Sequence, residues 1–416
     1  METKTHNLRV LWRLFAEFFK IALFVVGGGY AIIVVADDVF GKKLKWTREG
    51  ELLEHLPVFQ MVPGLIAGNT AIYVGLKMAG RLGAAVALSA VALPSLAVFT
   101  AVACGYNALP LGNPWIESAF LGLRSSLFGI ILGTVAKGWA KSVKGAYGYI
   151  ALGVATALLV GFGIGTVAVL VAAMGAGIAL EYCGLGDKAV QIESAGIALE
   201  PLSTARRLAL LGGVALVAAL ATLLYGRLFW FFVKFGLICF GGGFVLIPAY
   251  MDEFVGPDAP LIQLPEEEFS NLMALTQMTP GPVSVNSATF FGYRIGGIPG
   301  AIVATAGLLI PSLLLLTAVL TGLEKWKANR VVRGLLRGVK PATTALMIAA
   351  CLTFGGMSAW TRDATGGFSL NPFAITLAAF SAYALLRRKM SVMAAIFTCA
   401  AIGVAAHALS IAVKAP

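Results

Sequence analysis

The sequence predicts an all-α membrane protein made of two homologous helical repeats, inverted relative to each other and containing broken helices. The chain has 416 residues, of which 59% are hydrophobic and only 12% are charged, and its mean hydropathy is +0.87. A soluble domain carries about twice that charged fraction. Long apolar runs recur along the whole chain, and four sequence blocks of the first half return in the second.

The apolar runs predict about thirteen transmembrane segments, within a range of 10 to 14, because a membrane helix needs about 20 apolar residues. Gly and Pro interrupt the segments 58–78 and 272–292, which fit re-entrant hairpins equally well. Tyr225-Gly226-Arg227 divides one very long apolar stretch into two spans. The predicted spans are 12–36, 58–78, 81–108, 115–139, 146–162, 163–182, 207–225, 228–250, 272–292, 296–322, 333–357, 371–387 and 391–412.

The loop charges predict a cytoplasmic N-terminus and, with an odd number of spans, a periplasmic C-terminus. Most of the 31 Lys and Arg residues lie in short loops on one predicted side, as the positive-inside rule requires. This placement explains the net charge of +11 without nucleic acid, so no nucleic-acid partner is expected. The main exception is the cluster Lys42, Lys43, Lys45 and Arg48, which faces outward among acids. The first apolar run, 11–36, is too long for a signal peptide.

Cysteine and histidine usage gives no sign of a metal site, a cofactor or an enzyme. The five cysteines are far apart and form no CxxC pair, and the chain has only three histidines. No clustered nucleophile and base are visible. Acids inside apolar segments are few, chiefly Glu17 and Glu181, which argues against a proton relay and a cation pump.

The internal repeat is the most informative feature of the sequence. Its blocks keep their order at an offset of 214 to 217 residues, which predicts a first repeat at 1–205, a linker helix at 206–226 and a second repeat at 227–416. One extra span between two six-span units inverts the second, an arrangement common in secondary transporters with the substrate site at the repeat interface. The matching blocks are 20–33 with 234–247, 60–71 with 277–288, Gly75, Gly80, Gly83 and Ala84 with Gly292, Gly297, Gly300 and Ala301, and Pro94-Ser95 with Pro311-Ser312.

Two glycine triplets interrupt apolar runs, although each Gly costs a helix about 1 kcal/mol relative to Ala. One interpretation is a broken helix whose bare N–H groups bind an anion. The other is close helix packing, and both stay open. The triplets are Gly27-Gly28-Gly29 and Gly241-Gly242-Gly243.

Two Pro-Gly motifs predict unwound backbone within the membrane, because Pro removes a backbone donor and clashes with the preceding turn. Such backbone is tolerated only around a protein-lined or wet cavity. Side chains that can donate hydrogen bonds to an anion follow each motif, although a surface loop is the alternative. The motifs contain Gln60, Pro63 and Gly64, then Asn69, in the first half, and Gln277, Pro280, Gly281 and Pro282, then Ser284, Asn286 and Ser287, in the second.

Cations follow the Pro-Gly motifs at equivalent positions, Lys77 in the first half and Arg294, beside Tyr293, in the second. A cation in a membrane span marks a functional site by default, and the guanidinium fork suits an oxyanion. Snorkelling to the headgroups is the alternative. Arg124 and Lys340 form a second matched pair and are candidates for the anion pathway.

These motifs resemble the chromate transporter (chromate ion transporter) family in its long, two-domain form. The resemblance covers nearly the whole chain and rests on Phe240-Gly241-Gly242-Gly243, Pro280-Gly281-Pro282, Gly292-Tyr293-Arg294-Ile295-Gly296, Gly300-Ala301 and Pro311-Ser312. It implies a bacterial inner-membrane protein that exports chromate, with sulfate as a competing or counter-transported anion. The first half departs from the pattern at Val26, Leu65 and Leu76.

The expected function is therefore secondary active efflux of chromate or a related tetrahedral oxyanion, driven by the membrane potential or by anion exchange. The residues of the glycine triplets and Pro-Gly motifs, with Lys77, Tyr293 and Arg294, would bind the anion. The expected partners are a chromate- or sulfate-like oxyanion and the lipid bilayer, and a homodimer is left open. Import or exchange of sulfate or another metabolite anion is the main alternative, and a non-transporting membrane scaffold is a remote one.

Overall fold

In a computed structural model the chain is built almost entirely from helices. The structure describes residues 8–25, 28–106, 108–110, 112–143, 145–183, 204–240, 243–257, 259, 261–327, 329–362, 368–388 and 390–414. The helices and strands are α1 (Leu8–Phe24), α2 (Gly28–Ala36), α3 (Glu51–Glu54), α4 (Leu56–Met61), α5 (Ile66–Tyr106), α6 (Pro114–Ser142), α7 (Gly145–Thr156), α8 (Thr166–Tyr182), α9 (Thr204–Ile238), α10 (Ile247–Phe254), α11 (Glu266–Met278), α12 (Val283–Lys327), α13 (Arg330–Ala359), β1 (Trp360–Arg362), β2 (Phe368–Leu370), α14 (Pro372–Leu386) and α15 (Val392–Lys414). The two short strands pair antiparallel, with Thr361 opposite Ser369.

The helical membrane class is confirmed. Among the described residues, five helices are long and apolar enough to cross a membrane, and three shorter apolar helices accompany them. The count of thirteen spans and the inversion of the repeats remain predictions. The five long helices are Ile66–Tyr106, Pro114–Lys137, Val283–Thr321, Arg330–Ala359 and Val392–Ile411.

The chain forms two compact units, and each takes segments from both halves of the sequence. The first unit comprises 1–103, 188–243 and 280–333, and the second comprises 104–187, 244–279 and 334–416. The first therefore contains α1 to α4, most of α5, α9 and α12.

The core of the first unit begins with one face of α1. Leu14, Phe18, Ile21 and Ala22 are buried at spacings of three and four residues, which is the spacing of one helix face. They join a cluster with buried residues of α2 and α5, and with Leu316 and others of α12. Segments from both halves of the chain thus share one apolar core.

Helix breaks occur at both glycine triplets. The helix α1 ends at Phe24 and α2 begins at Gly28, so Gly28 and Gly29 form the first turn after the break. The helix α9 ends at Ile238, and a 3-10 turn starts at Gly243. Gly27, Gly241 and Gly242 lie outside the described residues.

The helices α5 and α12 are each folded back on themselves. Gly80 has φ 62° and ψ −151°, and Gly297 has φ 61° and ψ −151°. In a straight helix Gly75 and Gly83 would lie about 12 Å apart, yet a Cβ on either would overlap the backbone of the other. Gly292 and Gly300 meet in the same way.

The first arms of these hairpins, 66–78 and 283–295, are each about 20 Å long. A bilayer core is about 30 Å thick, so neither arm spans it alone. The segments predicted at 58–78 and 272–292 thus consist of a helix end, an unwound Pro-Gly stretch and a short arm. The structure also interrupts α9 at Tyr225, with φ −147° and ψ 50°, where the sequence predicts a division.

Small residues let helices approach closely in the second unit, as is common in membranes. Gly122 and Gly403 lie where α6 meets α15, and Gly129 lies where α6 meets α14. A Cβ on any of them would overlap backbone atoms of the neighbouring helix. These three positions require glycine because the neighbouring helix leaves no room for a Cβ atom, not because their backbone angles are unusual.

Candidate anion-binding site

The Pro-Gly stretch of the first repeat separates α4 from α5. Gly64 has φ 131°, which L side chains rarely adopt, and its N–H donates to the carbonyl of Cys239 at 2.7 Å. The amide nitrogen of Asn69 donates to the carbonyls of Phe59 at 2.8 Å and Val62 at 3.2 Å. Asn69 thereby satisfies carbonyls near the end of α4, which a broken helix leaves open.

The Pro-Gly stretch of the second repeat has the same form. Gly281 has φ 101°, and the carbonyl of Pro282 accepts from the N–H groups of Val285 at 2.9 Å and Asn286 at 3.0 Å. The Ser287 hydroxyl donates to the Val283 carbonyl at 2.8 Å. In each repeat a left-handed glycine therefore leads directly into a new helix.

Each Pro-Gly stretch contacts a serine of the other repeat. A Cβ at Gly64 would overlap the hydroxyl of Ser312, and a Cβ at Gly281 would overlap the hydroxyl of Ser95. Ser95 and Ser312 lie on the second arms of the α5 and α12 hairpins. These contacts define the crossing site, formed by Gly64, Ser95, Gly281 and Ser312.

The two serine hydroxyls are buried and have unused hydrogen-bonding capacity. Ser95 and Ser312 are fully buried, and among the described residues neither Oγ atom has a hydrogen-bond partner. The Oδ1 atom of Asn69, which would lie 2.9 Å from a Cβ on Gly64, is also without a partner there. Buried polar atoms are rarely left unsatisfied in folded proteins. The crossing site therefore offers two O–H donors to a ligand.

Two helix N-termini meet the crossing site. The first arm of α5 begins at Ile66, two positions after Gly64, and the first arm of α12 begins at Val283, two positions after Gly281. Helix N-termini carry partial positive charge and bare N–H groups, and they favour anions. Gly243 of the second triplet packs here too, since its Cβ would lie 2.9 Å from the Ser284 nitrogen.

Lys77 does not join the crossing site but pairs with a carboxylate that sequence reasoning missed. Its ammonium group forms a salt bridge with Glu51, whose side chain is 8% exposed. The Tyr73 hydroxyl donates to the same carboxylate oxygen at 2.7 Å. Burial alone would raise the pKa of Glu51, but hydrogen bonds from Lys77, Tyr73 and the Arg48 N–H together hold that pKa below its ordinary value.

The second matched pair of cations lies in the second unit. Arg124 forms a salt bridge with Glu267 at 2.9 Å. Lys340 is partly buried on α13, one turn from Arg337, which pairs with Glu181 at 2.9 Å. Glu181, one of the few acids that the sequence places in an apolar segment, is thus an ion-pair partner.

One protein family matches both halves of the chain. The model of the family described as "Chromate transporter" matches residues 12–178 and 226–404, one stretch in each half of the chain. The chain belongs to the chromate transporter family. No solved structure matches the chain.

Similar curated proteins cover different shares of the chain. A probable chromate transport protein of Synechococcus elongatus is 26% identical over 85% of this chain and 86% of its own length. A chromate transport protein of Pseudomonas aeruginosa is 25% identical over 83% of this chain and 82% of its own length. An uncharacterized transporter of Bacillus subtilis, YwrA, is 29% identical over 92% of its length but only 37% of this chain.

The structure brings together only part of the residue set predicted to bind the substrate. Gly64, Asn69, Gly243, Gly281 and Ser284 all lie at or next to the crossing site. Ser95 and Ser312 are additions, which the sequence marked only as blocks of the repeat.

Seven other predicted residues are buried or partly buried. Gln277 is buried near the end of α11 in the second unit, and its amide nitrogen has no partner among the described residues. Pro282 is buried, while Gln60, Pro63, Pro280, Tyr293 and Arg294 are partly buried.

Proposed function

We propose that this protein exports chromate, or a related tetrahedral oxyanion such as sulfate, across the bacterial inner membrane. Membership of the chromate transporter family and relatives named as chromate transport proteins support the substrate class. The observation that carries the proposal is the reciprocal contact at the crossing site, where each Pro-Gly stretch meets a buried serine of the other repeat.

The crossing site suits an oxyanion because hydroxyl and backbone N–H donors meet there, beside a single amide acceptor, Oδ1 of Asn69, among the contacts described. Ser95 and Ser312 supply two buried hydroxyls, and a hydroxyl donates as well as accepts. The helix N-termini after Gly64 and Gly281 add backbone N–H groups and partial positive charge. None of these four residues carries a carboxylate that would repel a dianion.

Charge neutralisation falls to the cations that follow the Pro-Gly motifs. Arg294 lies at the far end of the first arm of α12, away from Gly281, so it would meet the anion at another point of its path than the crossing site. A planar guanidinium binds two oxygens of a tetrahedral anion at once. Lys77 occupies the equivalent place on α5 and contributes when its bond to Glu51 opens.

The membrane potential can drive export of a dianion without a further ion. An inside-negative potential supplies about 2.3 kcal/mol per charge for each 100 mV. Two charges moving outward therefore gain several kcal/mol, which is enough for substantial accumulation outside. Exchange against an external anion would add to this force.

Everted inner-membrane vesicles test the proposal, because export from the cell becomes uptake into the vesicle. Vesicles containing the protein should take up labelled chromate faster when their lumen is made electrically positive, and excess sulfate should slow that uptake. Vesicles from cells lacking the protein are the control. Uptake equal to the control at every potential would overturn the proposal, and uptake that ignores the potential but requires sulfate inside would establish exchange instead.

A further inference from the structure

A buried polar cluster lies beside Lys77 on the segment that joins α2 to α5. Glu51, His55 and Tyr73 are 6%, 9% and 4% exposed. The Glu51 carboxylate accepts from Lys77, from the Tyr73 hydroxyl at 2.7 Å and from the Arg48 N–H at 2.8 Å. A carboxylate so enclosed holds its charge only while these donors stay in place.

His55 completes the cluster and has an unused nitrogen. Its Nδ1 lies 2.8 Å from the Glu51 carbonyl, so Nδ1 carries the hydrogen that this bond requires. The Nε2 atom is buried and has no partner among the described residues. The imidazole ring lies against the Tyr73 ring, with centroids 4.9 Å apart. A proton acceptor is therefore enclosed next to the Glu51–Lys77 pair.

The other charged groups around the cluster are engaged with one another or with backbone. Asp37 accepts from the N–H groups of Gly50 at 2.9 Å and Leu52 at 3.1 Å, and so positions the turn that carries Glu51. The Arg48 side chain pairs with Glu54. The first arm of α5 contributes Tyr73 and Lys77. Of the groups named here, Glu51 is the one that pairs with Lys77.

The geometry points to Glu51 as an internal competitor for the transported anion at Lys77, so that exchange of one for the other takes up a proton at the Glu51 carboxylate. This inference rests on the proposed function. The Lys77 side chain is 35% exposed, so the protein does not enclose it fully. When a dianion takes Lys77, Glu51 loses its main cation and faces a like charge in a buried setting. Both changes favour the neutral acid.

Linkage makes the coupling reciprocal. If anion binding promotes protonation of Glu51, protonation must promote anion binding by the same factor. The lowered pKa of Glu51 while it is paired with Lys77 agrees with a closed resting state at neutral pH. The Glu51 carboxylate is thus a proton-binding site, and whether it holds a proton depends on whether the anion is bound at Lys77.

Proton uptake by the wild-type protein is the first test. Purified protein in weakly buffered detergent, with a pH-sensitive dye, should withdraw protons when chromate is added at alkaline pH, where chromate carries both charges. Chromate added to protein-free micelles is the control. Binding of chromate without proton uptake would overturn the inference alone. Absence of chromate binding to the wild type would overturn the proposed function and this inference with it.

Glu51→Gln is the second test, because glutamine keeps the shape of the protonated acid and cannot titrate. In the alkaline range, where chromate stays a dianion, chromate uptake by this variant should lose its pH dependence, and its half-saturation concentration should fall about fivefold because the competitor is gone. Glu49→Gln is the matched control, since Glu49 lies on the same segment but is 69% exposed and pairs with Lys42. A Glu51→Gln variant with wild-type pH dependence would overturn the inference. If that variant does not fold, the wild-type measurement decides.

Discussion

The loop-and-hairpin segments of the two repeats, 62–106 and 279–327, share a backbone and differ in charge chemistry. Their reversal glycines, Gly80 and Gly297, agree within one degree in φ and have equal ψ. Yet Tyr73 is replaced by Phe290 and Lys77 by Arg294 at the same offset of 217 residues. The crossing site therefore requires the same backbone in both repeats, whereas the charged residues around it differ.

The largest effect should come from breaking the shared backbone. Gly64→Ala and Gly281→Ala should each abolish chromate uptake, because a left-handed φ costs a side chain about 1–3 kcal/mol and the new Cβ meets a serine of the other repeat. Thermal unfolding in detergent and vesicle uptake measure both consequences.

Gly50→Ala is the control for that pair of variants. Gly50 has φ 81° but open space around its Cα, so alanine there brings strain without collision. If Gly50→Ala reduced uptake as much as the other two, the crossing site would have no special role. Unequal losses for Gly64→Ala and Gly281→Ala would show that the repeats are not equivalent at this point.

The next effect should separate the two cations. Arg294→Ala should lower uptake by about tenfold or more, since a hydrogen bond to a charged group contributes about 1.5–3 kcal/mol. Lys77→Ala should lower uptake less, because Glu51 already neutralises Lys77 at rest. Chromate uptake at several concentrations makes the comparison, and unchanged uptake in Arg294→Ala would contradict the proposed role of this residue.

Lys77→Ala should also destabilise the protein, by about 1–2 kcal/mol, because it leaves a buried carboxylate without its cation. The double variant Lys77→Ala, Glu51→Gln should recover part of that stability. Thermal unfolding of the four proteins forms a double-mutant cycle. A cycle with no coupling would mean that the pair contributes nothing to folding.

Removing the crossing-site hydroxyls should have a smaller effect on uptake and little on folding. Ser95→Ala and Ser312→Ala should each weaken chromate binding by about threefold, the loss of one modest hydrogen bond. Neither variant leaves a protein partner unsatisfied, so melting temperature should stay the same or rise. Ser126→Ala is the control, because the Ser126 hydroxyl is buried but donates to the Leu123 carbonyl at 2.8 Å.

The smallest effect concerns acid stability. The pKa of Glu51 is below its ordinary value of 4.5 in the folded protein, so its contribution is present above that pH and is lost as pH falls through the folded value. Wild-type melting temperature should therefore fall more steeply below about pH 4.5 than that of Glu51→Gln. Parallel curves for the two proteins would contradict this assignment.

The sequence predicted the features that depend on local chemistry. Repeated Gly and Pro identified the breaks near Gly28 and Gly243 and the unwound stretches at Gly64 and Gly281, because these residues change backbone preferences where they stand. The span boundaries predicted between 78 and 81 and between 292 and 296 fall at or next to the hairpin reversals, but the left-handed φ of Gly80 and Gly297 was not predicted. A single glycine in an apolar run is compatible with a continuous helix, so the sequence alone does not predict its φ.

The sequence did not predict contacts between residues that are far apart in the chain. Lys77 and Glu51 are 26 positions apart, and nothing in an isolated charge pattern selects that partner over the other acids of the segment. Ser95 and Ser312 were visible only as repeated dipeptides, since their meaning depends on which chain segment packs against them. The repeat itself was the one signal that could have singled them out.

The serines of the crossing site have a consequence for how such a protein can be divided. Each repeat supplies the glycine of one contact and the hydroxyl of the other, so a polypeptide ending after the first repeat would hold two unmatched halves of different contacts. Cut between its repeats, this chain should work only when both fragments are made together. A protein with a single repeat could complete the same arrangement only by assembling with a second subunit.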